Sequence, residues 1–432
     1  MYRGCETAVK IDSLFARSVV SDYHMHQPRR FRTGLFVIFL AIVAMLSACS
    51  GDRVPVLERE ELFSLEYGKM EDQVELYLDG SAVTRKTRLA MRGGLFFVGS
   101  GYGNRIMEFT SYGDLITLYY NPSENPRPVM LQTTPGEERA TNRRAYEYPF
   151  NVVGELAVTS DNTLLVEDQV PDRVAVFDEE LGVRLNRVVL RLDRSGNQID
   201  YLGQEGIGGS FFPYIRSIDV TMRDEIVVIT TAPPRSIVFW FAPDGTLLRR
   251  LEITPDTLPV PGEVTASPIL ESLHADRELR RLYAKVNFYV GNGSQEGNGR
   301  AVERLMSRIY WIDVTDGSYS GFVDVPRNVR RDSILGGQEA EEEFHYELVG
   351  SAAGEHLFLL SQESRQESQL LILHTSGKVV RRRTLAIDYE EIVIRDLHVS
   401  NGGVLSGLLA TRDDVNIVWW RTDRLFGDGS AP

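Results

Sequence analysis

Five histidines follow position 49 in this chain, His274, His345, His356, His374 and His398, and their side chains are the first candidates for metal binding or proton transfer. Zinc sites built from one segment set two ligands a few residues apart on one helix or turn. These five histidines keep no such spacing, and the two cysteines, Cys5 and Cys49, leave the chain beyond position 49 without a thiol of its own. No G-x-S-x-G nucleophile elbow occurs, and no run of aspartates has EF-hand spacing. The histidines therefore read as structural or surface side chains, and neither a cofactor nor a metal is expected.

Other segments carry suggestive composition. Gly99-Ser-Gly-Tyr-Gly103 has the glycine content of a phosphate-cradling loop. Such a loop must open a helix, and here a strand pattern follows at Arg105, so the segment reads as a hairpin turn. Residues 291–299 have linker composition and read as a long hairpin loop. The acidic run Glu339, Glu341, Glu342 and Glu343 reads as a solvated loop. Trp419 and Trp420 fall on opposite faces of a strand, so one ring should enter the packing and the other should face outward or meet a neighbour.

The elements that must position these residues are short apolar runs punctuated by Gly, Asp, Asn and Pro, an all-β pattern. Five times an apolar strand, a polar turn ending in glycine and another strand succeed one another, with the glycines at Gly113, Gly196, Gly245, Gly317 and Gly377. A glycine there supplies the positive φ of a tight hairpin. A further strand precedes each copy, and a sixth pair of strands, at 404–409 and 416–420, lacks a full strand after it. A recurring antiparallel sheet of this kind predicts a β-propeller, with six blades over the residues after position 49. The glycine spacings of 83, 49, 72 and 60 imply loops of unequal length on a common blade. A seventh blade or a pair of β-sandwiches is the alternative architecture. The unfinished sixth blade predicts ring closure by an N-terminal strand, and residues 73–78 alternate apolar and polar side chains as an outer strand would.

The N-terminus has a different character. Arg29-Arg30-Phe31-Arg32 precedes a 12-residue apolar run, residues 35–46, in the order of a secretory signal helix. A membrane-spanning helix needs roughly 20 such residues. Met25 would begin a leader of ordinary length, so residues 1–24 are set aside. The paired arginines suit twin-arginine export, although arginines are expected in any such region and general secretion is the simpler reading.

Leu46-Ser47-Ala48-Cys49 resembles the lipobox of bacterial lipoproteins. The resemblance implies cleavage before Cys49, with Leu46, Ser47 and Ala48 as the signal-peptidase motif, and acylation at Cys49, whose thiol receives a diacylglyceryl group. Two or more acyl chains anchor a protein stably where one does not. The strand, D-x-G turn, strand pattern resembles the six-bladed propellers of the NHL and related families over about residues 90–420. Together the two resemble the propeller lipoproteins of spirochaetes and other diderm bacteria. The turn before Gly113 departs from the pattern by lacking the aspartate, and blade length varies.

The expected organisation is a leader and lipoprotein signal peptide over 1–49, a polar tether over 50–61 and a propeller over 62–427. With residues 1–49 set aside, 41 basic and 58 acidic side chains leave a net charge of −17. Such a body repels phosphate backbones, which argues against a nucleic-acid partner. It repels an anionic bilayer as well, so attachment to a membrane falls to lipid on Cys49. The expected function is a non-catalytic binding scaffold in the bacterial cell envelope, facing the periplasm or the outside, with a protein or an envelope polymer as partner. The alternative is a lactonase-like propeller hydrolase with a metal held at the central channel.

Overall fold

Each of the five turn glycines does adopt positive φ, at +84° for Gly113, +78° for Gly196, +91° for Gly245, +79° for Gly317 and +87° for Gly377. These turns join the third and fourth strands of five antiparallel sheets in a computed structural model, which describes residues 54–76, 85–131, 143–262, 265–291, 302–333 and 339–426. Residues 1–53 lie outside that description, and with them the expected signal helix and Leu46, Ser47, Ala48 and Cys49.

Six sheets, three of four strands and three with a fifth strand added, make six blades. Their innermost strands are Thr87–Arg92, Val153–Val158, Tyr214–Val220, Ser267–Ala275, Glu347–Ala352 and Ile394–Val399, which we number as blades 1 to 6. Each innermost strand touches the next and the sixth touches the first, so the ring is closed. Six apolar clusters fill the six gaps between neighbouring blades. Between blades 2 and 3, for example, Leu165, Val189 and Leu202 meet Ile215, Phe239 and Phe241. Both faces of a blade are thus buried, which explains why its middle strands read as continuous apolar runs.

The sixth blade takes its outer strand from the N-terminus, as expected of a closed ring, but the donor differs. Glu60–Glu66 pairs antiparallel with Asp414–Trp420, Ser64 opposite Asn416. Of the expected donor at 73–78, Val74 forms an isolated bridge with Tyr67, and residues 77–84 lie outside the described residues. Position 61, expected to end a tether, therefore lies inside a strand. Upstream of it Val56–Leu57 pairs in parallel with Val379–Ala386, the outer strand of blade 5. The acidic ends of Glu60-Glu-Leu-Phe-Ser-Leu-Glu66 mask a short strand whose Leu65 is 5% exposed and packs with Phe96 and Phe109.

The unequal glycine spacings have visible causes. A small hairpin, Val176–Asp178 with Val183–Leu185, extends from blade 2. In blade 4 the strands Arg281–Gly291 and Val302–Asp313 run beyond the usual blade length, and of residues 291–299 only Gly291 is among the described residues. Between blades 4 and 5 a ribbon pairs Asn328–Ser333 with Glu339–Phe344. The acidic run is therefore a strand and not a solvated loop. Its like charges are offset by arginines, with Glu342 2.5 Å from Arg330 and Glu343 2.6 and 2.7 Å from Arg304 and Arg327.

Candidate functional site

The innermost strands are the ones that sequence reading left unassigned, because their channel-facing positions carry charges. One end of the channel is a cavity of about 770 Å³ lined from all six blades. Arg88, Glu155, Arg216, Glu271, Glu347 and Arg395 come from blades 1 to 6 in turn, joined by His274 and Asp396. The acids are engaged by cations. Glu155 lies 2.9 Å from both Lys86 and Arg88, Glu347 lies 2.8 Å from Arg395, and Glu271 pairs with the buried Lys285. Asp396 accepts from the Leu89 amide at 2.7 Å and stands 3.7 Å from Arg88. Burial, with Glu155 nearby, pushes its carboxyl up to about 6 against the pull of Arg88.

Behind this lining Lys86 also reaches Glu167 at 2.7 Å and the Ile215 carbonyl at 2.6 Å, and it sits over the Tyr214 ring. Glu167 is fully buried, and its Oε2 accepts from the Glu155 amide at 2.9 Å. That approach requires a glycine at position 154, where a Cβ would fall 2.2 Å from Glu167 Oε2. Gly101 has a similar part in the hairpin of Gly99 to Gly103, since a Cβ there would meet the carbonyl oxygens of Val153 and Lys86. The segment is a hairpin turn, as expected, between Leu95–Ser100 and Arg105–Phe109.

The opposite end is a cavity of about 510 Å³ with a more apolar wall, including Met91, Val158, Ile218, Val220 and Val404. Arg277 spans it from blade 4. Its guanidinium donates to the carbonyls of Ser351 at 3.1 Å, Val220 at 3.4 Å and Val399 at 3.5 Å, at or next to the ends of the innermost strands of blades 5, 3 and 6. It also pairs with Asp219 at 3.0 Å, whose buried Oδ2 has no hydrogen-bond partner among the described residues. His398 lines the same cavity, and burial, reinforced by the Arg277 cation, lowers its imidazole to about 4. Burial likewise lowers His274.

His356 and His374 face each other as a cross-strand pair in blade 5 with ring centroids 5.6 Å apart, a meeting that spacing alone does not reveal. His345 precedes the innermost strand of blade 5, and burial lowers its imidazole. Among the described residues no three His, Cys, Asp or Glu side chains gather as metal ligands would. Trp420 is fully buried, while Trp419 is half-buried, donates to Glu60 at 2.7 Å and lines the smaller cavity.

These features define a six-bladed β-propeller whose channel is lined by ion pairs. No family model matches the sequence, and no curated protein matches it. Among solved structures it is similar to a protein provisionally described as a gluconolactonase, at 12% identity and a TM-score of 0.36, over 86% of this chain and 94% of that one. It is similar also to a streptogramin B lyase, at 11% and 0.30 over 77% and 92% of the two chains. The β-propeller domain of the Trilobed protease from Pyrococcus furiosus gives 11% and 0.34 over 78% and 83%.

Proposed function

We propose that this chain is a lipid-anchored lipoprotein of the bacterial cell envelope whose propeller binds a partner rather than transforming a substrate. The observation that supports binding over catalysis is the state of the channel acids. Glu155, Glu271, Glu347, Asp396 and Asp219 each have an arginine or lysine within ion-pair distance. A lactonase-like metal site would need several such carboxylates free to turn toward one ion, and separating each from its cation in a partly buried channel is costly. The smaller cavity suits capture of a partner's side chain or a polymer unit. Its volume lies in the range of ordinary ligand sites, with an apolar wall and a few polar groups, Arg277 among them.

The anchor in this reading is the acylated Cys49 exposed by cleavage after Ala48, on the periplasmic or outer face of a membrane. The test is palmitate labelling and detergent partitioning of the full chain beside its Cys49→Ser variant. Loss of both label and processing is expected. Undiminished labelling overturns the anchor.

A further inference from the structure

The body that carries a net negative charge has one outer edge of opposite character. Residues 378–383 read Lys-Val-Val-Arg-Arg-Arg without an acid between them. From Val379 onward they open the fourth strand of blade 5, Val379–Ala386, whose later part is paired with Val56–Leu57. Lys378 and Arg382 are exposed and Arg381 and Arg383 half-exposed. Among the described residues none of the three arginines makes an ion pair; Arg381 and Arg383 donate only to neighbouring carbonyls. Val379, at 37% exposure, lies beside them, and Val56, at 66%, lies on the adjoining strand.

This edge is also where the N-terminal chain joins the propeller. Val56 pairs with Thr384 and Leu57 with Leu385, in parallel, while the Thr384 amide and hydroxyl donate to the carbonyls of Pro55 and Val54. Because the pairing is parallel, Val54 lies on the arginine side of it. Four residues separate Cys49 from Val54. At full extension that stretch covers at most about 18 Å.

We propose that the outer edge of blade 5, with Arg381, Arg382, Arg383 and the exposed Val379 and Val56, rests on an anionic phospholipid bilayer and holds the disc edge-on to it. The proposal rests on the lipid anchor at Cys49: with four residues between it and Val54, a lipid there brings this edge within reach of the headgroups. Exposed arginines meet their phosphates, while the two valines enter the interface. The net charge of the body does not prevent this. Screening at physiological ionic strength acts over about 8 Å, so a bilayer against this edge senses the local charges most, and there Lys378 and the three arginines outnumber Glu58, the acid next to Leu57. Three such arginines amount to roughly two orders of magnitude in partitioning.

The test uses the full chain purified from membranes with its own anchor and reconstituted on vesicles of phosphatidylglycerol or of phosphatidylcholine. A Val379→Cys variant carries an environment-sensitive fluorophore, and an Ile199→Cys variant, exposed on blade 2, serves as control. Emission at position 379 should shift to the blue on phosphatidylglycerol relative to phosphatidylcholine, and emission at 199 should not. Combined Arg381→Gln, Arg382→Gln and Arg383→Gln substitutions, with folding checked by circular dichroism, should abolish the difference. Equal emission at 379 on the two lipids, or a shift that survives the glutamines, overturns the proposed surface. Failure to float with phosphatidylcholine vesicles overturns the anchor instead. The phosphatidylglycerol arm then reads the edge alone, a glutamine-sensitive shift sustaining it and no shift overturning it.

Discussion

Arg105 donates to the backbone carbonyl of Gln73 at 2.6 Å, from the third strand of blade 1 to the segment that follows the ring-closing strand. The same guanidinium reaches the carbonyls of Gly68, Lys69 and Met70 at 2.7 to 3.0 Å, and the side chain is 1% exposed. Burial lowers its pKa to about 10, so it remains charged at neutral pH. One planar fork of donors thus satisfies four carbonyls that no strand ladder serves. The N-terminal segment is held by the ring after it has closed the ring.

Replacing Arg105 with methionine should therefore destabilise the fold by about 3 kcal/mol or more, because the carbonyls of Gly68, Lys69 and Gln73 lose a charged donor at once. Lysine should not restore the loss, since an ammonium cannot reproduce the fork. Urea titration of both variants checks this. A lysine variant as stable as the parent would mean that charge, and not geometry, holds the segment.

At the smaller cavity, Arg277→Met strands Asp219, whose second oxygen is already unpaired, and should cost about 3–5 kcal/mol. Adding Asp219→Asn should recover part of that cost, because the pair is coupled. The substitution has a second readout. The Arg277 cation helps burial hold His398 near 4, so the imidazole should titrate at higher pH in Arg277→Met, provided Asp219 is retained. Proton NMR of the histidines follows it directly, and an unmoved His398 would place the cation outside its surroundings.

What could be read from the sequence divides along one physical line. The turn glycines and the middle strands were legible because positive φ demands glycine and burial on both faces demands apolar runs. The innermost strands were not, since positions such as Arg88, Glu155, Arg395 and Asp396 face a polar channel and interrupt the pattern. Glu60–Glu66 was hidden by its acidic ends, although the need for such a strand was legible from the incomplete sixth blade. The channel lining escaped notice for a further reason. Its members come one or two to a blade and meet only through ring closure, so no local motif announces them.

A pH effect follows from Asp168 in blade 2. Its Oδ1 accepts the amides of Asn151, Val152 and Gln169 at 3.0, 2.8 and 2.9 Å. Burial outweighs those bonds and raises the carboxyl to about 6 from an ordinary 3.8. The folded chain therefore holds this proton more tightly than the unfolded chain. The group favours folding most below about pH 4, and that contribution is lost as the pH rises toward 6, by at most about 3 kcal/mol. An asparagine can keep its oxygen where Oδ1 lies. Asp168→Asn should therefore match the parent near pH 4 and exceed it in stability above pH 6, as measured by denaturant unfolding across that range. A variant weaker than the parent above pH 6 would show that the carboxylate's hydrogen bonds outweigh its burial.

Ring closure itself is tested at Leu65, the buried apolar centre of the Glu60–Glu66 strand. Its side chain packs into the cluster between blades 6 and 1, with Phe96, Phe109, Val415 and Ile417. Truncation to alanine leaves a cavity there and should cost about 2–4 kcal/mol. In an open array of repeats such a loss stays near its origin, because each unit contacts only its neighbours. In a closed ring every blade is held from both sides, so weakening one gap loosens all of them. The amides of Val227 and Phe239 in blade 3, on the far side of the ring from Leu65, should exchange faster by the factor that the global loss predicts. Hydrogen exchange on Leu65→Ala beside the parent measures this. Faster exchange confined to blades 6 and 1 would mean that the N-terminal strand covers an edge without closing the ring.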